Sequence, residues 1–443
     1  MNRVLALTVA IGFLASWTGV SAYGESAGDY WPTWRGPDAT GAAAKGNPPV
    51  TWSETQNIKW KVAVPGKGSS SPIIWGDKIF FQTAIETEKK GTPDAGAEDE
   101  EPPFHGGQIP TNVYKFDLVC VDRNTGTILW QKTAREEMPH EGHHPDHGFA
   151  SYSPVTDGKH VWANFGSRGV HCYDVDGNHK WSRDFGKMKS RMVFGEGSSP
   201  ALAADALVVP MDHEGDSFIV ALNKETGETI WKKDRDELTS WSTPIAVEVN
   251  GRLQVIVNAT KRIRSYDVET GDLVWECGGQ TPNAIPSPVS GFGKVFCTSG
   301  FRGSALQAID PGRTGDLTGT DAIVWEINTG TPYVPSPLLY GDKIYVCASN
   351  SAEISCYQAE TGEPNFVEQP IKGMKEVYAS PVGVADRVYL VGRDGKAAVI
   401  KRSEKLEVLA VNSLDDEIDA SPAVVGDELF LKGKTYLYCI AEQ

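Results

Sequence analysis

Short apolar runs separated by polar turns recur from about residue 57 to the end of the chain, and no stretch carries a sustained helical period. The segment from Thr243-Pro244 to Trp275 shows the unit most completely. The run TPIAVEV leads into a turn at Asn250-Gly251 and then a second β-rich run. A third run ends in the acidic turn Asp267 to Gly271, and a fourth carries Trp275. Four such runs with turn chemistry between them predict one antiparallel sheet. A single sheet leaves its apolar faces uncovered, so it must stack on copies of itself.

Copies are present. A Ser/Thr-Pro dipeptide opens each unit, with its proline at 72, 154, 200, 244, 288, 337, 381 and 422, which makes eight units. Successive spacings of 82, 46, 44, 44, 49, 44 and 41 residues match a four-stranded propeller blade, the first being lengthened by insertions. Proline suits the first residue of a strand, where no ladder hydrogen bond is asked of it. The third strand and its turn recur as VCVDRNTGTILW, VALNKETGETIW and SYDVETGDLVW, with a shorter form HCYDVDGNHKW. Asp or Asn caps the turn, Gly takes its positive φ, and Trp is placed on the outer strand. Units six and seven depart from this, with Phe366 for Trp and no aromatic near Leu406 to Leu409.

The eighth unit holds three runs only, SPAVV, DELFLK and TYLYCIA. A matching fourth run with its Trp lies at the other end, in Asn57 to Lys61. The expected fold is therefore all-β: an eight-bladed propeller of four-stranded antiparallel blades, closed by the N-terminal strand joining the last blade.

The ends and insertions divide the chain further. Arg3, the apolar run Val4 to Ala15 and the small residues Val20-Ser21-Ala22 read as a signal peptide over 1–22, cleaved near Ala22. The run is too short to span a bilayer, and the first cysteine is Cys120, so neither a transmembrane nor a lipid anchor is expected. A periplasmic or secreted location follows. Residues 23–56 read as an extended arm with Trp31 and Trp34 as apolar anchors, and residues 57–443 as the propeller. Within it, 86–110 reads as a disordered or lid-like insertion that includes His105, and 132–150 as a His-rich loop.

Charge narrows the partners. The formal net charge is −16, and loss of Arg3 with the signal makes it −17, which excludes nucleic acid as an expected partner. Cys120, Cys172, Cys356 and Cys439 share one repeat position. Equivalent positions on packed sheets are roughly 10 Å apart, too far for a disulfide, so core packing is expected for these four. Cys277, Cys297 and Cys347 stay open between thiol and disulfide, and no Cys-x-x-Cys pair is present.

The connections preceding each Ser/Thr-Pro fall on one face, around the channel. They bring Tyr152, Glu196, Trp241, Asn283, Tyr333, Tyr378 and Asp419 as candidate ligand-binding residues for a flat polar ligand or a protein segment, or else as plain channel lining. His140-Glu141-Gly142-His143-His144-Pro145-Asp146-His147 contains His-Glu-x-x-His, which needs a helix that Pro139, Gly142 and Pro145 disfavour. As a wrapping loop, His140, His143, His144 and His147 are candidate Zn or Cu ligands, the alternative being a polar inter-blade loop. Asp212 to Asp216 and Asp310 to Asp321 read as ordinary hairpin turns, and Arg168 and Arg302 as solvated turn residues. There is no phosphate loop, nucleophile elbow or dinucleotide fingerprint.

The SP…GD-x-I-F/Y and D-x-x-T-G-x-x-x-W patterns and the eight-fold count, from about Asn57 to Ala441, resemble the pyrroloquinoline-quinone (PQQ)-like repeat family. These are quinoprotein alcohol dehydrogenase-like propellers, built on a repeat architecture of the WD40/YVTN kind. WPTWRGP, HHPDHGFASYSPVTDGK and WSTP look like secreted members common in planctomycete-type bacteria. The chain is also similar in fold to the outer-membrane assembly propeller BamB. The resemblance implies a possible PQQ with Ca²⁺ on the channel face, with oxygen donors and a base drawn from Glu196, Asn283 and Asp419. The adjacent disulfide pair of many such enzymes is absent from this sequence. Two functions are thus expected. The first is a non-catalytic binding or scaffold module for a protein, polysaccharide or small ligand at the channel mouth. The alternative is a PQQ/Ca-dependent alcohol or sugar dehydrogenase.

Overall fold

The structure, a computed structural model, describes residues 27–92 and 110–442. The expected signal segment, most of the 86–110 insertion and His105 lie outside the described residues.

Eight antiparallel sheets form the ring, each laid out in chain order from the inner strand to the outer one. The last blade closes it. Ile58–Ala63 pairs antiparallel with Tyr436–Ile440, placing Trp60 opposite Cys439, so the outer strand of blade 8 comes from the start of the propeller. In blade 1, Lys78–Lys90 pairs with Asn112–Asp122 out to Lys90, so residues 86–90 extend a long hairpin and do not belong to an irregular insertion. The outer strand Ile128–Glu137 likewise runs past residue 132, and the His-rich loop starts at Met138. Residues Asp310 to Asp321 are not an ordinary hairpin turn either. They supply Gly315–Asp316, which lies parallel to Leu273–Cys277 as a fifth strand of blade 4. This short strand hydrogen-bonds an edge that would otherwise stay unpaired.

Two repeated contacts join blade to blade. At the rim, the Trp of one blade sits on the glycine-closed turn between the third and fourth strands of the next. The indole N–H groups of Trp60, Trp130, Trp181, Trp231 and Trp325 donate to the carbonyls of Arg123, Val175, Lys224, Val268 and Ala359. The turn glycine lies flat on the ring: a Cβ at Gly227 or Gly271 would come within 2.6 Å of Trp181 or Trp231. Only glycine therefore fits there, for contact as well as for φ.

At the axis, the Ser/Thr before each proline makes a closed ring of hydrogen bonds. The N–H of Ser71 donates to the Ser153 hydroxyl, Ser153 to Ser199, Ser199 to Thr243 and Thr243 to Ser287. Ser287 continues to Ser336, Ser336 to Ser380, Ser380 to Ser421, and Ser421 returns to Ser71. All eight bonds are 2.8 to 3.0 Å long. Each hydroxyl satisfies a backbone donor that the neighbouring inner strand cannot pair within its own sheet. All seven cysteines are buried free thiols, including Cys277, Cys297 and Cys347.

Candidate functional site

Inside the hydroxyl ring lies a cavity of about 280 Å³. The arm forms its floor. Trp31 pairs with Ile74 of blade 1, and Thr40 and Gly41 with backbone of blades 6 and 7, which carries the intervening turn across the channel. Trp31 is fully buried as an anchor, but Trp34 is not one: its indole separates the channel cavity from a second cavity on the opposite face. Arg35 is buried beneath it, donating to the carbonyls of Pro381 and Pro337 at 2.9 and 2.6 Å. Burial without a carboxylate partner pushes this guanidinium down to about 9.

The His-rich segment forms the rim and strides over the mouth. Residues 138–150 are turns and bends, so the two imidazoles of His-Glu-x-x-His do not share a helix face. His144 accepts its anchorage through its backbone N–H, which donates to Phe194 O at 3.2 Å. Across the channel Asp146 takes a 3.0 Å bond from Arg393 of blade 7 and a 3.3 Å bond from the Tyr378 hydroxyl. Arg393 also grips Asp419 at 2.8 Å and lies 3.9 Å from the Tyr378 ring centroid. Burial opposes its charge, but the bonds to Asp419 and Asp146 raise Arg393 above its ordinary value, and burial pushes Tyr378 up to about 12.

Of the expected mouth residues, Trp241, Tyr333, Tyr378 and Asp419 line this cavity, together with His144, Asp146, His147 and Phe194. Tyr152, Glu196 and Asn283 do not. The Glu196 carboxylate turns away into the protein, where it accepts from Arg168 at 3.0 Å, from the Ser167 N–H and hydroxyl at 2.9 and 2.6 Å, and from Tyr152 at 3.3 Å. Asn283 is buried with its Oδ1 unbonded and lines neither cavity. The oxygen donors that a quinone-bound Ca²⁺ would require are therefore not brought to one point: one is sealed under Arg168 and another is held by Arg393. This set does not fit the metal.

Arg168 is correspondingly no solvated turn residue. Positive φ at Gly166 and Gly169 folds the 3₁₀ turn Gly166–Arg168 inward, and its guanidinium lies 5.2 and 5.7 Å from the Phe116 and Phe149 rings. Arg302, in the similar string SGFRGS, does stay exposed. Asp212 to Asp216 form the expected hairpin turn, and Asp212 in addition holds Arg235 through two buried bonds of 2.7 and 3.0 Å.

The four imidazoles of the loop do not converge as one metal site. His140 Nε2 donates to Met188 O, His143 Nδ1 donates to His144 O, and His147 Nδ1 is engaged by Gly148 and Ser151. Among the described residues, the ligand atoms that gather here are those of His140, Glu141 and Glu196, and buried Arg168 already occupies that cluster. Burial pushes His147 down to about 4 and Glu141 up to about 7, against the opposing hydrogen bonds from Ser190.

Glu141 gives a pH test. Its folded value lies above the ordinary 4.5, so the folded state binds the extra proton and its contribution is lost as pH rises from about 4.5 through about 7. The Glu141→Gln variant should gain on the parent between pH 4 and pH 8 by up to roughly 3 kcal/mol. His147 contributes in the opposite sense, but equally in both proteins. Urea midpoints of the pair at the two pH values measure the difference; a gap that does not change with pH would place Glu141 in solvent.

Comparison with known proteins gives the same architecture. Residues 115–365 match the family described as outer membrane protein assembly factor BamB. The chain is 29% identical over 145 residues to subunit 1 of methanol dehydrogenase [cytochrome c] from Methylorubrum extorquens, covering 31% of this chain and 20% of that protein. For the same subunit from Methylobacterium organophilum the values are 30% over 96 residues, 20% and 14%. The chain thus spans a fifth or less of the length of these relatives. Among solved structures, quinohemoprotein alcohol dehydrogenase from Comamonas testosteroni superposes with a TM-score of 0.60 at 9% identity, over 94% of this chain and 81% of that one. BamB from Moraxella catarrhalis gives 0.53 at 13% identity, over 81% and 98%. These two are likenesses of fold. No helix among the described residues is long and apolar enough to cross a membrane.

Proposed function

Since this chain belongs to the family of the outer membrane protein assembly factor BamB, we propose that it is an exported propeller acting as a non-catalytic binding module. Its channel mouth holds an uncharged polar group, best a sugar ring of a polysaccharide or a small polyhydroxylated ligand. The observation carrying this reading is the pairing of the mouth carboxylates: Asp146 and Asp419 both bind Arg393, which leaves neither free as a base or metal ligand. Around this paired cluster stand Phe194, Trp241, Tyr333 and Tyr378 over a wall of serine hydroxyls. Aromatic faces with a few fixed polar groups suit a flat polar ligand in a closed-ended cavity. Such a module in an exported protein presents its ligand to a partner or tethers the protein to a matrix.

The second reading, a quinone-dependent alcohol or sugar dehydrogenase, draws on the similarity to methanol dehydrogenase subunits. One titration separates them. Neutral mono- and oligosaccharides should quench Trp241 fluorescence saturably, and Trp241→Ala should weaken binding by about 10-fold or more, as loss of a buried aromatic anchor does. PQQ with Ca²⁺ should neither bind saturably nor raise the melting temperature. One-to-one quinone binding with dye-linked alcohol oxidation would overturn the binding-module reading.

A further inference from the structure

The repeats act as controls for one another, and three blades depart from their charge pattern, with His160, Ala206 and Glu428 at the start of the second strand. The second strand begins with Lys78, Arg252, Lys294, Lys343 and Arg387 in five of the eight blades. In blade 1 this cation crosses to the next blade: Lys78 Nζ donates to Val175 O at 3.0 Å and Asp176 at 2.5 Å, in the turn below blade 2. In blade 2 the same position is His160, and Glu225 stands where Asp176 stood, two residues into the turn Asn223 to Gly227 of blade 3. A permanent cation has been replaced by an imidazole, while the facing acid has been kept.

The imidazole is buried, with a side chain 6% exposed, and its Nδ1 has no hydrogen-bond partner. That nitrogen lies 3.7 Å from Glu225 Oε2, too far for a hydrogen bond. Two ligands each about 2.1 Å from one Zn²⁺ ion stand roughly 3.4 to 3.7 Å apart at tetrahedral to trigonal angles. Asp157 completes the group, since its carboxylate and the other two ligand atoms all lie within 4.8 Å of one another.

We propose that Asp157, His160 and Glu225 form a divalent-cation site of the Zn²⁺ class, which joins blades 2 and 3 on the face opposite the channel mouth. Both halves are held in advance. The hairpin carrying Asp157 and His160 is fixed by Thr156, whose hydroxyl donates to His160 O at 2.6 Å. The Glu225 turn is fixed by Asn223 Oδ1, which accepts from two backbone N–H groups, and by two indoles that donate to Lys224 O. The cluster at His140, Glu141 and Glu196 differs in one respect. Its competing cation, Arg168, is only 3% exposed and bonds Glu196 at 3.0 Å, whereas Lys159, which bonds Glu225 here, is 70% exposed and can swing into solvent, and Lys224, 17% exposed, approaches Asp157 no closer than 3.8 Å.

Untagged full-length protein, stripped with chelator, should take up one equivalent of Zn²⁺ in a calorimetric titration. His160→Gln and Glu225→Gln should each weaken uptake at least ~10-fold, and the exposure of Glu225 keeps the second variant folded. Lys159→Ala should tighten it several-fold by removing the competing ammonium. His143→Ala should leave it unchanged. Saturable uptake indifferent to both glutamine variants, or no saturable uptake at all, would overturn the site.

Discussion

Replacing Glu196 with alanine should destabilise the protein by about 3–5 kcal/mol, the usual cost of leaving one partner of a buried ion pair behind. Glu196 and Arg168 have side chains 5% and 3% exposed and meet at 3.0 Å. Removing the carboxylate leaves the guanidinium between Phe116 and Phe149 with only the more distant Glu137 at 3.8 Å, and takes the acceptor from the Ser167 N–H, the Ser167 hydroxyl and the Tyr152 hydroxyl. Tyr152 then has no route to relief by ionising, since burial holds its phenol well above its ordinary value. The double variant Glu196→Ala/Arg168→Met should recover part of the loss, because no uncompensated charge is then left buried. Urea midpoints of the three proteins decide it. A single variant that melts within about 1 kcal/mol of the parent yet binds its ligand poorly would return Glu196 to the mouth.

That outcome bears on what the sequence made legible. Glu196 and Asp419 both precede a Ser-Pro, and by repeat position both were candidates for the mouth. What separates them is the direction of a side chain, and that direction was set by arginines far away in sequence. Arg168 looked like a turn residue because FGSRGV and SGFRGS are near copies. The positive φ of Gly166 and Gly169, Phe116 of blade 1, Phe149 of the His-rich loop and the Glu196 carboxylate turn the first guanidinium inward. Arg393 gave no local signal at all, since its three carboxylates lie 17, 26 and 247 residues away.

The fold was more readable because its information is local and repeated. Ser/Thr-Pro marked every inner strand, and the missing fourth strand of blade 8 pointed to Trp60 at the other end. The alternation of Ser or Thr before the proline was the signal for the axial ring. The tryptophans of the arm stand out in the sequence and Arg35 does not, because a buried arginine that donates to proline carbonyls has no partner side chain to announce it.

Trp231→Ala should cost about 3–5 kcal/mol, as loss of a large buried aromatic does. Trp231 is nearly buried, donates to Val268 O at 2.7 Å and covers Gly271, whose φ is +72°. Trp231→Phe keeps most of the area and loses the hydrogen bond, so about 1 kcal/mol is expected. The informative variant is Gly271→Ala. Its methyl would sit 2.6 Å from the Trp231 ring as well as in a left-handed backbone, so both strain and collision contribute. In the double variant the ring is gone and the collision with it. Gly271→Ala should therefore cost less on the Trp231→Ala background than on the parent, a coupling of about 1 kcal/mol or more between groups in contact. Trp275 supplies the contrast. Its indole donates within its own blade to Gln254 Oε1 at 3.1 Å, and the short strand Gly315–Asp316 lies beside it where the other blades present a Thr-Gly turn. Strict additivity at Trp231 and Gly271 would mean that the indole does not rest on the glycine, and that the rim contact holding blade 3 to blade 4 is the hydrogen bond alone.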